Sequence, residues 1–226
     1  MKRPTLGVMG GMGTQATACF YEMLHDMQTV SAEQEYLDVL VYSMPSIPDR
    51  SAFIIGSSDE NPLTHLLFAA KTLEAAGVCC IAMPCVTAHF FYGDIAEAAS
   101  IPILNMPEET ARSIAAGGLK RVGLLATVGT LKSRFFHAAL EKSGIEVIVP
   151  PANVQAGVME IVYEIKRGGD VAPEALDAMA AGLAKSGAEA VVLGCTELSL
   201  LAKGRPGYVN AMEALALASL EKCKLS

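Results

Sequence analysis

GVCCIAMPC (77–85) and GAEAVVLGC (187–195) are the two stretches that decide the fold. Each opens on a glycine that ends an amphipathic segment, runs through a short apolar stretch, and closes eight residues later on a cysteine, Cys85 or Cys195. A threonine follows closely in each case (Thr87, Thr196), and then a helical pattern. A short buried strand between two helices is the repeating unit of a parallel sheet. Finding that unit twice in one chain predicts an internal repeat.

The correspondence extends outward from the cysteines. TLGVMGGMGT (5–14) resembles RVGLLATVGT (121–130), and ILNMPEE (103–109) resembles YVNAMEA (208–214). Strands are expected at 5–9, 37–42, 78–83, 102–104, 121–126, 146–149, 189–193 and 208–209, with helices between them, among others at 62–76, 131–143 and 173–186. The fold class is α/β: two pseudosymmetric lobes, each a mostly parallel sheet flanked by helices, with an active site in the cleft between them. The lobes are expected at 1–102 and 103–210, with a helix over 211–226 packing back on the first.

Composition narrows the partners. The net charge is −7 and there is no lysine or arginine run, so a phosphate backbone or an anionic membrane surface is a poor match. The apolar runs are far shorter than a membrane span, and the stretch after Lys2 and Arg3 is broken by Gly7, Gly10, Gly11 and Gly13, unlike a secretory signal. The six cysteines lack the spacing of a disulfide scaffold, so they are expected to be reduced thiols in a cytoplasmic protein. Cys19, Cys79, Cys80 and Cys223 are read as small buried hydrophobes.

The two cysteines at strand ends are different. Ligands of open α/β sheets bind outside the carboxyl ends of the strands. A cysteine placed there, opening a helix, is expected to gain thiolate character from the helix N-terminus. Two of them, related by a pseudo-twofold axis, would face each other across a cleft. That arrangement suits racemisation, in which one thiolate removes an α-proton and the opposite thiol delivers another to the other face.

Other constellations are weaker. Cys85 and His89 share a helical spacing, but no CxxC pair or second histidine completes a metal site, and none is expected. His89 is read as a hydrogen-bonding partner within its helix, and His25, His65 and His137 as surface or cap residues. Gly11, Gly13 and Ala16 fit a dinucleotide fingerprint, yet the second strand does not end in an acidic residue, so no nucleotide cofactor is expected. The loop is read instead as binding a carboxylate through bare amides or permitting close backbone approach. Arg50 in the proline-stiffened PSIPDRS, Lys166 at a helix end, and Thr127 and Thr130 after the fifth strand are candidate contacts to an anionic substrate.

Taken in order, GVMGGMG (7–13), IPDRS (47–51), ENPL (60–63), MPCVTAHFFY (83–92), VGLLATVGT (122–130) and LGCTELSLL (193–201) resemble the aspartate/glutamate racemase superfamily, aspartate racemases most closely. The resemblance implies a cofactor-free, two-base mechanism on a small acidic amino acid, commonly in a homodimer. It makes Cys85 and Cys195 the acid/base pair and Arg50 and Lys166 partners of the side-chain carboxylate. Thr87, Thr127 and Thr196 are placed at the α-carboxylate, with Met12, Val86 and Thr130 among the binding residues. Three positions depart from the family pattern: Val86 replaces an asparagine, Met44 stands where many relatives have asparagine, and Asn210 where aspartate is frequent. Each lost amide removes a hydrogen bond contributing about 1 kcal/mol net. Two alternatives therefore stay open: a related isomerase or decarboxylase of a small dicarboxylic acid, and a non-catalytic binding homologue.

Overall fold

The computed structural model describes residues 3–202 and 204–224. Residues 1–2 of the expected first lobe, residue 203, and the last two positions of the expected C-terminal helix lie outside the described residues. The first half of the chain runs β1 (Thr5–Gly10), α1 (Thr14–Asp26), β2 (Asp38–Ser43), α2 (Arg50–Ile55), α3 (Leu63–Ala75), β3 (Cys80–Ala82), α4 (Tyr92–Ala98) and α5 (Met106–Ala116). The second half runs β4 (Arg121–Ala126), α6 (Val128–Ser133), α7 (Phe135–Lys142), β5 (Glu146–Ile148), α8 (Ala152–Lys166), α9 (Ala175–Lys185), β6 (Ala190–Gly194), α10 (Thr196–Leu201), β7 (Tyr208–Asn210) and α11 (Ala211–Lys222).

Both sheets are parallel, in the orders β2-β1-β3 and β5-β4-β6-β7. The expected strand at 102–104 contributes only one bridge, Ile81 to Ile103, closed by Ile81 N–H to Pro102 O (2.9 Å) and Leu104 N–H to Ile81 O (2.8 Å). Pro102 has no N–H to extend the ladder, and Asn105 immediately caps α5, so the segment has no room to grow. With that bridge counted as a vestigial fourth strand, the two sheets have the same order. The expected helix over 131–143 is also broken, because Arg134 adopts a left-handed conformation (φ 57°) and separates α6 from α7.

Alternation along the central strands explains the packing. Leu6 and Val8 of β1, with Val122, Leu124 and Ala126 of β4, belong to one core cluster that spans both lobes. Met9 turns the other way into a cluster built from the first lobe together with Ile103, and Leu125 into its counterpart in the second. Cys85 belongs to the first of these flanking clusters and Cys195 to the second. The inner strands β1, β3, β4 and β6 are thus buried on both faces, which is why they read as continuous apolar runs.

The last helix of each half crosses over. α5 packs on α7 and β7 of the second sheet's lobe, whereas α11 packs on α1 and β3 of the first, and the two helices pack on each other. Both begin at a capping asparagine: Asn105 Oδ1 accepts from Glu108 N–H (3.4 Å) and Asn210 Oδ1 from Met212 N–H (3.0 Å).

Candidate active site

The two cysteines occupy equivalent positions. Cys85 lies three residues past β3 and opens a 3-10 turn over Val86–Phe91; Cys195 directly follows β6 and opens α10. Both have extended backbone, with φ −152° and −145°. Both are buried, at 5% and 3% exposure.

Their surroundings differ. The Cys195 thiol donates to Glu197 Oε2 (2.9 Å), which also accepts from the Thr196 hydroxyl (3.3 Å). Burial and then the Glu197 carboxylate push the Cys195 thiol well above its ordinary range, and Lys166 pulls it back only in part. That direction opposes the expectation that its helix N-terminus would favour the thiolate: burial and the carboxylate on α10 both work against the charged form. Glu197 was missed by sequence reasoning. Superposing the cysteine motifs residue by residue sets it opposite Thr87, and that charge asymmetry was the available signal.

Lys166 closes α8 and keeps access to solvent as a residue, yet its ammonium interacts with several groups of the site. Burial works against its charge, but Glu197, Cys195 and Cys85 raise its pKa above the usual value, with Arg50 opposing. Arg167 is instead tied outward to Glu164 (2.6 Å). Arg50 is buried rather than solvated: its guanidinium donates to the carbonyls of Ile47 (3.0 Å), Pro48 (2.8 Å) and Met12 (3.4 Å). Its Nε, like Glu197 Oε1, is buried without a hydrogen-bond partner among the described residues. Asp49 caps α2 and accepts from Tyr163 of α8 (3.2 Å), a polar tie between the lobes.

Three hydroxyls meet across the lobe boundary. Thr87 lies 3.0 Å from Thr127 and 3.2 Å from Thr130, which are themselves 3.1 Å apart. All three are buried, and Thr127 caps α6 by accepting from Thr130 N–H (3.2 Å). Between them Gly129 faces Ser51 of α2 so closely that an added Cβ would lie 2.9 Å from its Cα. Gly129→Ala must therefore push the two lobes apart at the site. The expected cost is roughly 1–3 kcal/mol of stability and, through misplacement of the threonines, a fall in kcat/KM of about 10²-fold. Denaturant unfolding and steady-state kinetics measure the two.

The glycine-rich loop is used for close approach. Gly11 sits at φ +92°, where a Cβ would fall 2.4 Å from the backbone of Met44. A Cβ on Gly13 would lie 3.1 Å from Glu197 Oε1, so this loop also presses on the second cysteine's partner. Met12 is buried in the first lobe's cluster, and Val86 is buried in the cluster common to both lobes. A cleft of about 290 Å³, lined by Gly13, Thr14, Gln15, Lys166, Gly168 and Glu197 among others, leads in from solvent.

His89 holds the site's backbone. Nδ1 bonds the Cys85 carbonyl (2.9 Å) while Nε2 accepts from Met106 N–H (3.1 Å), and burial lowers its pKa to about 4. It is a neutral strut. His25 is exposed and His65 half-buried, but His137 is buried, contrary to its reading as a surface or cap residue, because α7 turns it inward beside Phe136.

Comparison with known proteins decides the family. Residues 9–215 match the family described as Asp/Glu/Hydantoin racemase. The chain belongs to that family. This racemase is 30% identical to the broad specificity amino-acid racemase RacX of Bacillus subtilis over 174 residues, 72% of this chain and 71% of the relative. The aspartate racemase of Picrophilus torridus superposes on it with a TM-score of 0.88 at 28% identity, covering 99% of this chain and 96% of that one. An aspartate racemase homologue from Pyrococcus horikoshii gives 0.77 at 26%, covering 99% of each. The family anticipated from the cysteine motifs and the two-lobed α/β fold are both found. The enzyme is accordingly an amino-acid racemase of the kind independent of pyridoxal phosphate. Among the described residues no helix is long and apolar enough to cross a membrane.

Proposed function

We propose that this chain interconverts the enantiomers of a small acidic amino acid, aspartate in preference to glutamate, by two-base proton transfer between Cys85 and Cys195. The observation that carries the proposal is their equivalent placement after β3 and β6, with Lys166 acting electrostatically on both. In one direction a Cys85 thiolate takes the α-proton; the electron pair is held in the planar carbanion conjugated with the α-carboxylate. The Cys195 thiol then gives its proton to the opposite face and becomes the thiolate. In the other direction the roles exchange. The carbanion carries added negative charge, which the Lys166 ammonium is positioned to stabilise.

Substrate contacts follow the same division. Lys166 and Arg50 supply the positive field for the side-chain carboxylate in a chain of net charge −7. Thr87, Thr127, Thr130 and Thr196 offer hydroxyls for the α-carboxylate, while Met12 and Val86 bound the pocket. The lobes are taken to divide at 1–102 and 103–210, with α11 on the first. Leu40 and Val41 on the edge strand β2 are exposed, as is Phe68, whose ring lies 6.4 Å from that of Tyr42 on the same strand, and this apolar edge suits a homodimer. Six cysteines without a disulfide among them suit a reducing cytoplasm.

The test follows L-aspartate and L-glutamate by proton NMR in deuterium oxide. Aspartate is expected to lose its α-proton signal as the D-enantiomer accumulates on a chiral column, faster than glutamate does. Thermal stabilisation by aspartate without exchange would make the protein a binder. Turnover of dicarboxylic acids in place of either amino acid would move the reaction to isomerisation or decarboxylation.

A further inference from the structure

Three thiols converge at the opposite end of β3 from the active site. Cys79 and Cys80 sit at the start of that strand, and Cys223 caps the end of α11. Their sulfurs are 3.3 Å (Cys79–Cys223), 3.5 Å (Cys80–Cys223) and 3.9 Å (Cys79–Cys80) apart. Packing as small hydrophobes explains their burial, but not why all three sulfurs point at one spot.

The sulfur triangle is close to the size a single ion needs, its two shorter edges a few tenths of an ångström tight. Three sulfurs each ~2.3 Å from a metal lie ~3.8 Å apart around a tetrahedral centre and ~4.0 Å apart around a trigonal one. A disulfide needs ~2.05 Å, so none of the three pairs is positioned as a bond. Adjacent residues of one strand normally send side chains to opposite faces. Here Cys79 precedes the regular ladder, and its sulfur comes round to the same side as that of Cys80.

We propose that Cys79, Cys80 and Cys223 form a binding site for a thiophilic d10 cation, Zn(II) or Cu(I), that clips α11 to the first sheet. Soft thiolate sets select such ions over hard cations. Binding breaks three S–H bonds, forms three metal–sulfur bonds and releases three protons to solvent. Thiolates, not thiols, bind the ion, so the affinity climbs with pH. An entry path exists: a cleft of about 400 Å³ beside the N-terminal ends of β1 and β2 is lined by Arg3, Leu37, Leu220 and Cys223, among others. Cys79 keeps partial exposure, leaving room for a fourth, non-protein ligand.

The experiment titrates chelator-treated protein with Zn(II), and separately with Cu(I) under anaerobic conditions. One equivalent should bind, with thiolate-to-metal charge transfer for Cu(I), three protons released, and a rise in the unfolding midpoint. X-ray absorption separates the ions: three sulfurs alone for Cu(I), three sulfurs plus one light atom for Zn(II). Cys223→Ser and Cys79→Ser should each weaken binding by more than the ~10–100-fold seen when only an outer-shell partner is lost, with amino-acid racemisation unchanged. Cys85→Ser and Cys195→Ser should bind as the unaltered protein does. Metal binding that survives Cys223→Ser, or that disappears with Cys85→Ser or Cys195→Ser, overturns the proposal, as does the absence of binding at one equivalent. Because metal uptake is read without turnover, its failure and a failure of the racemase reading are separable.

Discussion

Cys85→Ser and Cys195→Ser each lower kcat for racemisation by about 10²–10⁴-fold, the contribution of a positioned acid or base. Both directions should suffer in both variants, because every turnover uses one cysteine as base and the other as acid. Solvent exchange distinguishes the two faces. With Cys85 replaced, the enantiomer whose α-proton faces Cys195 should still exchange that proton in deuterium oxide without inversion; with Cys195 replaced, the opposite enantiomer should. The fold is expected to survive, since serine is nearly isosteric and each site already contains hydroxyls. Full racemisation by either variant would refute the two-base assignment.

Glu197→Gln should give the second large effect, and its sign follows from the surroundings of Cys195. The carboxylate accepts the thiol proton at 2.9 Å and, after burial, is the main influence raising that thiol's pKa. Replacing it by a neutral amide removes the repulsion on the thiolate, so the Cys195 pKa should fall. The direction that needs Cys195 as base gains activity at lower pH; the direction that needs it as acid loses activity from a lower pH upward. The two profiles therefore both move acidward, while Lys166, deprived of its partner, holds its charge less firmly. A variant that lost activity at every pH without moving either limb would reduce Glu197 to a structural role.

The fold was legible because the two halves repeat their punctuation. Gly77 and Gly187 end equivalent helices, both in left-handed conformation (φ 81° and 95°), and the strands between them and the cysteines are buried on both faces. What was not legible depended on single residues. Pro102 and Asn105 together leave no length for a fourth strand in the first sheet, although the same pattern at 208–210 makes one. Arg134 breaks a helix whose apolar spacing continues across it, a conformation that no side-chain pattern announces.

In the site, residue type pointed to the cysteines and threonines, but not to their environment. Arg50 is written like a turn residue, yet its guanidinium is fixed by three carbonyls. Glu197 follows Cys195 within the same quoted motif, yet a carboxylate in a first helical turn is so often solvent-facing that only three-dimensional packing reveals its burial. The convergence of Cys79, Cys80 and Cys223 needs the fold as well, because 143 residues separate the last two.

The crossed helices carry a consequence for the chain as a material object. Were the backbone severed in the turn between α5 and β4, each piece would leave its final helix lodged against the other piece. The fragments would be interlocked rather than merely adjacent, and each alone would expose the apolar bed its missing helix had covered. A nicked molecule should therefore stay associated and active, whereas either fragment made alone should aggregate until its complement is supplied.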